Sequence, residues 1–213
     1  MTRFEIMKRL GDAKVVAILR FVDPAKVGYT VDALLEGGIT ALEVTLNSTG
    51  ALEQIRAAVS ACGDRAVVGA GTVLDGAAAV SAFMAGAQFA VAPNVREEVI
   101  RAANRYGKPV LPGAMTPTEI QAAAEAGADI VKVFPAGTLG PRYFKEVKAP
   151  LGHISLMATG GITVENAAEF IRSGADLVGA GGQLVSSELI AQGRWSELSD
   201  RARRFIDSVG SAK

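Results

Sequence analysis

The sequence is poor in the two residues that most often build metal sites and disulfides. Its 213 residues include one cysteine, Cys62, and one histidine, His153. A lone cysteine excludes an internal disulfide and a thiolate zinc site, and a lone histidine excludes a histidine-rich metal centre. The histidine count also argues against a Ser-His-Asp triad, since His153 lies in a predicted surface loop. The chemistry is therefore expected to rely on lysine, carboxylates and hydroxyls.

Net charge and long apolar runs are missing as well. The chain has 22 basic and 22 acidic residues, so its charge gives no reason to expect nucleic acid or an anionic membrane as a partner. No run approaches the ~18 consecutive apolar residues of a membrane span, and the charged N-terminus lacks the apolar core of a signal peptide. We therefore expect a cytoplasmic protein whose residues 1–213 form one domain.

Eight short apolar runs recur along the chain, and most are followed by an alanine-rich amphipathic stretch. Such runs are typical of strands that are covered on both faces, as in a parallel sheet. The pattern predicts an α/β fold, a (β/α)8 barrel of the TIM type, with a leading helix at residues 2–12 that plugs its bottom. An open doubly wound sheet is the alternative, but no strand is followed by GxGxxG. The predicted strands are 15–20, 41–46, 66–73, 89–94, 109–114, 130–135, 155–161 and 177–182.

In such a barrel, function lies at the carboxyl ends of the strands. Side chains two residues apart share a face, so Glu43, Thr45 and Asn47 are expected to point the same way on the second strand. Polar and glycine residues at the other strand ends are expected to converge with them on one mouth, with Pro112 ending the fifth strand. These residues are Arg20, Thr72, Pro93, Asn94, Pro112, Lys132, Thr159, Gly160, Gly161, Gly181, Gly182 and Gln183.

Lys132 lies in IVKVFP (130–135), and no other lysine is embedded in the apolar run of a predicted strand. Burial is so unfavourable for an unpaired ammonium group that the amine tends to lose its proton. Lys132 could extend its amine to solvent or form a structural ion pair with Glu43. Alternatively, burial and nearby cations lower its pKa so that it attacks a carbonyl, with Glu43 as the proton shuttle.

Arg20 and two glycine clusters fit an anionic substrate. The planar guanidinium of Arg20 suits a substrate carboxylate, although a salt bridge at the strand end is the alternative. ATGGIT (158–163) and GAGGQL (179–184) follow the last two predicted strands and precede helix signals. Glycine-rich turns in this position form the usual phosphate site of such barrels, although they could also simply close tight turns.

Seven motifs carry a resemblance that covers residues 13–190. LEVTLNS (42–48), GAGTV (69–73), APN (92–94), LPGAMTPTE (111–119), VKVFPA (131–136), ATGGI (158–162) and GAGGQLV (179–185) occur in this order. Together they resemble the 2-keto-3-deoxy-6-phosphogluconate (KDPG) aldolase family of class I pyruvate aldolases, which includes the 2-keto-3-deoxy-6-phosphogalactonate (KDPGal) aldolases. The resemblance implies a (β/α)8 barrel, a homotrimer, and no metal or organic cofactor.

The resemblance also implies roles for individual residues. Lys132 would form the Schiff base, and Glu43 would be the general acid and base. Thr72 would contact the substrate carboxylate, which Arg20 is expected to bind, or a neighbouring hydroxyl, and the glycines of the last two loops would bind the phosphate. The phosphate residues are Gly160, Gly161, Gly181 and Gly182, and the pocket wall would comprise Thr45, Asn47, Pro93, Asn94, Pro112, Phe134 and Thr159.

Departures from the family pattern leave the substrate epimer open. Many gluconate-type members have an arginine where this chain has Asn47, and some members have a serine where it has Gln183. Arg20 and residues 134–150 are more similar to the galactonate type, whereas LPGAMTPTE is more similar to the gluconate type. The expected reaction is cleavage of KDPG to pyruvate and glyceraldehyde 3-phosphate, with 4-hydroxy-2-oxoglutarate as a further substrate and KDPGal as the alternative. More distant alternatives are a phosphosugar epimerase and a non-catalytic phosphosugar-binding barrel.

Overall fold

Nine parallel strands form one sheet in the computed structural model, which describes residues 1–212. The strands are β1 (Val15–Leu19), β2 (Ala41–Thr45), β3 (Val67–Gly71), β4 (Ala90–Val91), β5 (Val110–Leu111), β6 (Gly113–Ala114), β7 (Val131–Val133), β8 (Leu156–Thr159) and β9 (Leu177–Ala180). Their order in the sheet is β5-β4-β3-β2-β1-β9-β8-β7-β6. Because the strands run parallel, their carboxyl ends meet at one rim, which is the mouth of the barrel.

The sheet closes on itself at Pro112. β5 and β6 lie at opposite ends of the strand order, yet Pro112 alone separates them in the chain. The Ala92 N–H donates to the Leu111 carbonyl on one side of this seam, and the Lys132 N–H donates to the Pro112 carbonyl on the other, at 2.9 Å. The ring therefore contains eight barrel strands, of which the fifth is split, and the predicted (β/α)8 barrel is confirmed.

Several strands are shorter than predicted. The expectation that Pro112 ends the fifth strand is wrong, because this residue lies between the two halves of that strand, β5 and β6. Proline has no backbone N–H, so it interrupts the hydrogen bonds to the neighbouring strand. The third strand stops at Gly71, since the backbone of Thr72 is left-handed, with φ of 55°. The fourth strand comprises only Ala90–Val91 of the predicted 89–94.

Eight of the helices form an outer ring, one for each barrel strand. The described helices are α1 (Arg3–Ala13), α2 (Val27–Glu36), α3 (Ala51–Cys62), α4 (Gly76–Met84), α5 (Glu97–Arg105), α6 (Pro117–Glu125), α7 (Ala136–Leu139), α8 (Pro141–Lys148), α9 (Val164–Arg172), α10 (Ser187–Ala191) and α11 (Trp195–Gly210), with a 3-10 turn at Pro24–Lys26. Helix α1 precedes the barrel, and the short helices α7 and α10 lie in the loops after β7 and β9. Within residues 1–212, no helix combines the length and the apolar character needed to cross a membrane.

Helix α1 closes the bottom of the barrel, as predicted. A capping box between Thr2 and Glu5 fixes where the helix begins. Ile6 and Leu10 are fully buried and pack with inward-facing residues of the strands, while a larger apolar cluster fills the space between sheet and helices. The bottom of the barrel is therefore filled, and the space for a ligand lies at the other rim.

Three polar side chains repeat one hydrogen-bond pattern at the bottom rim. Gln88, Asp129 and Asp176 each precede a strand, and each accepts a backbone N–H of the neighbouring strand at 2.8–2.9 Å. Their own N–H groups donate to the carbonyl of the same neighbouring residue. Arg3 of α1 also donates to both carboxylate oxygens of Asp129, at 2.7 and 2.8 Å. Side chains at the bottom thus hold the strand register and leave the mouth free for other residues.

Candidate active site

A cavity of about 210 Å³ opens at the mouth of the barrel. It is lined by residues from the ends of β1, β7, β8 and β9 and from the loops that follow them. Its wall is formed by Ile18, Arg20, Lys132, Phe134, Thr159, Gly160, Gly161, Ile162, Gly179, Gly181, Gly182 and Gln183. The cavity therefore brings together the lysine, the arginine and both glycine loops that the sequence predicts at separate strand ends.

Lys132 projects from β7 into the barrel, because its neighbours Val131 and Val133 pack towards the helices. The side chain is buried, and its amine lies 5.0 Å from the centroid of the Phe134 ring. Burial lowers the pKa of the Lys132 amine below its ordinary value; the Glu43 carboxylate opposes this shift and the positive charge of Arg20 adds to it. The environment therefore favours the neutral amine, the form that attacks a carbonyl carbon.

Glu43 points from β2 into the barrel and is fully buried. Neither of its carboxylate oxygens has a hydrogen-bond partner in residues 1–212. The space for the carboxylate exists because β3 carries Gly71, where a Cβ would stand 1.8 Å from Glu43 Oε1. Burial raises the pKa of the Glu43 carboxyl, and the charges of Lys132 and Arg20 oppose that shift. A buried carboxyl group without partners is unfavourable for folding, which is typical of a group that serves a ligand.

Arg20 follows β1 and is exposed at the mouth. Arg20 lines the main cavity and also a second cavity of about 280 Å³, whose wall includes Phe21, Val22 and Lys26. The salt-bridge alternative finds no support, since no carboxylate of residues 1–212 pairs with it. The guanidinium is therefore available to an anion that enters the cavity.

The two glycine loops present backbone N–H groups at the cavity wall. Gly160 and Gly161 are left-handed, with φ of 92° and 74°, a conformation that favours glycine. Gly137 packs tightly against them, because its N–H donates to the Gly160 carbonyl at 2.7 Å. In the described chain, the N–H groups of Gly161, Gly182 and Gln183 donate to no other group. Free N–H groups beside the start of α9 can bind an anion such as a phosphate.

Thr159, at the end of β8, contributes a buried hydroxyl to the cavity. Its Oγ1 atom lacks a hydrogen-bond partner among residues 1–212. Gly179 on the adjacent strand leaves the room for this hydroxyl, since a Cβ there would lie 2.6 Å from Oγ1. An unpaired hydroxyl in a cavity wall is suited to a polar group of a ligand.

Two residues predicted on the face of Glu43 do not line the cavity. The Thr45 side chain is buried, but its hydroxyl bonds to Leu19 and Ser48 of the chain itself. Asn47 is exposed, and the prediction that it shares the strand face is wrong, because β2 ends at Thr45 and Asn47 lies in the following turn.

Other predicted pocket residues follow β3, β4 and β5 and also stand outside the wall of this cavity. Thr72 and Pro93 are half-buried, Asn94 is exposed, and Pro112 is buried in the seam. The last glycine loop does not lead directly into a helix, because α10 begins at Ser187.

The sequence-based predictions missed the glycines that make room for inward-facing side chains. Gly71 leaves room for the Glu43 carboxylate, whereas a Cβ at Gly69 would meet the ring of Phe89 at 2.4 Å. Gly69 and Gly71 alternate on β3 and pair in register with Glu43 and Thr45 of β2. Glycine at two successive inward positions beside a predicted carboxylate was the signal that could have identified them. Gly179, beside Thr159 on β8, follows the same rule.

The remaining reactive side chains offer no second centre within residues 1–212. No group of three or more histidine, cysteine, aspartate or glutamate side chains stands close enough there to hold a metal ion. Cys62 is buried, and burial raises the pKa of its thiol to about 11, which disfavours the reactive thiolate.

The chain is similar to known proteins over most of its length. The family model described as KDPG and KHG aldolase matches residues 6–200. The chain is 42% identical over 171 residues to the 2-dehydro-3-deoxy-6-phosphogalactonate aldolase of Escherichia coli K12, which covers 80% of this chain and 83% of that protein. It is 35% identical over 211 residues to the 2-dehydro-3-deoxy-phosphogluconate aldolase of Treponema pallidum strain Nichols, covering 99% of each.

Two solved structures have the same fold at a TM-score of 0.86. A native KDPGal structure is 38% identical to this chain, and the match covers 93% of this chain and 95% of the other chain. The second structure is a KDPG aldolase from Legionella pneumophila, with pyruvate captured at low pH as a covalent carbinolamine intermediate. It is 26% identical to this chain, and the match covers 92% of this chain and 96% of the other chain.

Proposed function

This chain belongs to the KDPG and KHG aldolase family and is thus a lyase, and we propose that it cleaves a 2-keto-3-deoxy-6-phospho sugar acid through a Schiff base on Lys132. The products are pyruvate and glyceraldehyde 3-phosphate, and no metal or organic cofactor takes part. The observation that carries this proposal is a buried lysine amine in a cavity that also holds an unpaired arginine and two loops with free N–H groups.

The Lys132 amine supplies the electron sink. In its neutral form it attacks the C2 ketone, and loss of water from the carbinolamine gives a protonated imine. When the C4 hydroxyl loses its proton, the C3–C4 bond breaks and its electron pair passes into an enamine, so that glyceraldehyde 3-phosphate leaves. Protonation at C3 and hydrolysis of the imine then release pyruvate and restore the amine. The carbinolamine captured in the Legionella relative supports this chemistry.

Glu43 moves the protons in this sequence. Dehydration of the carbinolamine, cleavage of the C3–C4 bond and protonation at C3 each need a proton donor or acceptor near the lysine. Glu43 is buried near enough to Lys132 for each charge to shift the pKa of the other group, its own pKa is raised by burial, and its oxygens are unpaired within residues 1–212. One carboxyl group, acting directly or through one water molecule, therefore serves the successive transfers.

The substrate's two anionic ends bind at different parts of the mouth. The carboxylate binds the guanidinium of Arg20, with Thr72 at the edge of the site. Thr72 is β-branched yet has φ of 55°, a conformation that destabilises the folded chain and is often retained at functional sites. The phosphate binds the free N–H groups of Gly161 and Gly182 near the start of α9.

The C4 epimer is the finer part of the proposal. KDPG is the first candidate and KDPGal is about equally supported, since the E. coli relative is named for the galactonate and the Treponema relative for the gluconate. The unpaired hydroxyl of Thr159 is one group that could distinguish the two C4 configurations by hydrogen bonding. Side-by-side kcat/KM values decide this point, and 4-hydroxy-2-oxoglutarate belongs in the same series.

The Schiff base is tested by borohydride reduction in the presence of pyruvate, followed by peptide mass mapping. We expect the pyruvate adduct on Lys132, and we expect a Lys132→Met variant to lose both the adduct and aldolase activity. Lys145→Met is the matched control, because Lys145 is an exposed lysine on α8. An adduct on another lysine, or full activity in Lys132→Met, would contradict the proposal.

We also propose a cytoplasmic homotrimer, in line with the family resemblance. Exposed apolar side chains lie just before α4, at Leu74 (52%), and at its last residue, Met84 (67%), and burial between copies would remove them from water. Light scattering of the purified protein measures the assembly, and a monomer at micromolar concentration would contradict it.

A further inference from the structure

A chain of hydrogen bonds holds the backbone on both sides of Arg20. The Phe21 N–H donates to Ser48 Oγ at 2.9 Å, and Ser48 Oγ lies 3.1 Å from Thr45 Oγ1. The Thr45 hydroxyl donates in turn to the Leu19 carbonyl at 3.4 Å. Leu19 and Phe21 are the residues immediately before and after Arg20 in the chain. We call this set of four groups the Arg20 clasp.

The clasp has one consistent direction of donation. The single proton of the Thr45 hydroxyl goes to the Leu19 carbonyl, so the Ser48 hydroxyl must donate to Thr45 Oγ1. Ser48 Oγ is then free to accept the Phe21 N–H. Both hydroxyl side chains are buried, where replacing one partner leaves the other polar group unpaired. The contact to the Leu19 carbonyl is the longest, so the bond at Phe21 is the stronger anchor.

The backbone that the clasp holds is in an unfavourable conformation. Phe21 has φ of 55°, in the left-handed region that bulky side chains avoid. Its ring is 67% exposed, so burial of the ring does not compensate for this conformation. The hydrogen bond from the Phe21 N–H to Ser48 therefore helps to stabilise the turn directly after Arg20, which Gln54 also holds by donating from Nε2 to the Val22 carbonyl at 3.1 Å.

We propose that Ser48 and Thr45 are positioning residues for Arg20, which aim its guanidinium at the reaction cavity without touching the substrate. The Arg20 side chain has no hydrogen-bond or ion-pair partner among the described residues, and Arg20 borders two cavities, so contacts of the guanidinium do not select between them. Its direction is set instead by the backbone on either side, which the clasp fixes. This inference rests on the proposed role of Arg20 as the group that binds the substrate carboxylate.

The test compares steady-state kinetics of Ser48→Ala, Thr45→Val and Arg20→Ala in the full-length protein. Loss of a binding contact that is equal in the ground and transition states raises KM and leaves kcat unchanged. We expect Ser48→Ala to raise KM about 5- to 50-fold, which corresponds to ~1–2.3 kcal/mol of lost binding free energy, and Thr45→Val to raise it less, because the bond to Leu19 is the weaker anchor. Thr45→Val preserves side-chain shape, so it tests the clasp even if Ser48→Ala folds poorly.

A double-mutant cycle separates positioning from a general structural effect. We expect Ser48→Ala to raise KM little further when Arg20 is already alanine, because the residue that it positions is gone. Ser199→Ala is the matched control, since Ser199 is a buried serine on α11, away from the mouth, and its KM should equal that of the parent protein.

The outcomes distinguish the two proposals. An unchanged KM in Ser48→Ala and Thr45→Val, with a raised KM in Arg20→Ala, overturns the clasp and leaves the role of Arg20 intact. An equal KM increase by Ser48→Ala with and without Arg20 also overturns the clasp. An unchanged KM in Arg20→Ala overturns the carboxylate role of Arg20 and the clasp with it, while borohydride trapping on Lys132 still reports on the aldolase mechanism.

Discussion

Replacing Gly71 by alanine should disable the proposed proton shuttle without altering Lys132. The added methyl group would stand 1.8 Å from Glu43 Oε1, 2.5 Å from Cδ and 2.6 Å from Cγ. No van der Waals contact is possible at these distances, so the carboxylate must leave its present position. Gly71 does not have a positive φ, and the backbone itself therefore accepts alanine. The damage should fall on Glu43.

The structure gives the scale of two separate effects. Overpacking of a filled interior costs about 1–3 kcal/mol, which corresponds to a loss of roughly 2–12 °C in Tm for a chain of this size. A misplaced general acid or base lowers the rate by about 10²–10⁴-fold. We therefore expect a folded Gly71→Ala protein whose kcat falls at least about a hundredfold and which still forms the reduced pyruvate adduct slowly on Lys132.

An assay that couples pyruvate release to lactate dehydrogenase measures kcat, and a separate thermal unfolding experiment measures Tm. Gly28→Ala is the control, because a Cβ at Gly28 meets nothing within 4 Å. In a Glu43→Ala background, the side chain that clashes with the added methyl group at position 71 is gone. Gly71→Ala should therefore lower Tm little further in that background. A kcat within about twofold of the parent, or an undiminished stability cost in the Glu43→Ala background, would refute the reasoning.

Three further predictions concern charge. Arg20→Ala removes a positive charge that lowers the pKa of Lys132, so the rising limb of kcat/KM against pH should move to higher pH; an unmoved limb would contradict the coupling. Glu43→Gln should raise Tm at about pH 8 but not at about pH 4. Folding raises the pKa of Glu43 above its ordinary value of 4.5, so the ionised carboxylate destabilises the folded state once the pH rises through these two pKa values. In urea denaturation, Arg3→Ala should lower the free energy of unfolding by about 1 kcal/mol, since its bidentate ion pair is partly buried. Lys8→Ala, which removes an exposed ion pair, should change the free energy of unfolding by no more than ~0.5 kcal/mol. Equal losses in the two variants would show that burial of the ion pair does not matter here.

The sequence predicted the barrel because its apolar runs are typical of strands buried on both faces and are followed by amphipathic stretches. Capping boxes at Thr116 and Thr163 fix where α6 and α9 begin, and α1 fills the bottom of the barrel. Lys132 was identified for a related reason, since a charged residue in an apolar run stands out against its background. Strand ends were less predictable, because the backbone of Thr72 and the proline at position 112 depend on the closed ring.

The predicted site differs in part from the site in the structure, and local geometry explains the differences. A period of two places Asn47 on the face of Glu43 only while the strand continues, and β2 ends two residues earlier. Thr45 does face inwards, but its hydroxyl bonds to Ser48, in the turn that follows β2, and to Leu19 at the end of β1. Hydrogen bonds between segments that are distant in sequence have no periodic signature, so the clasp was not visible before the fold was known.

The seam at Pro112 links the completion of folding to the chemistry of Lys132. Pairing across the seam uses the Lys132 N–H itself, so the lysine backbone is fixed by the contact that joins the two ends of the sheet. In a chain whose sheet is still open, the amine would face water and keep its proton. The nucleophilic form of the amine therefore depends on the closed ring, because burial there removes the lysine from water.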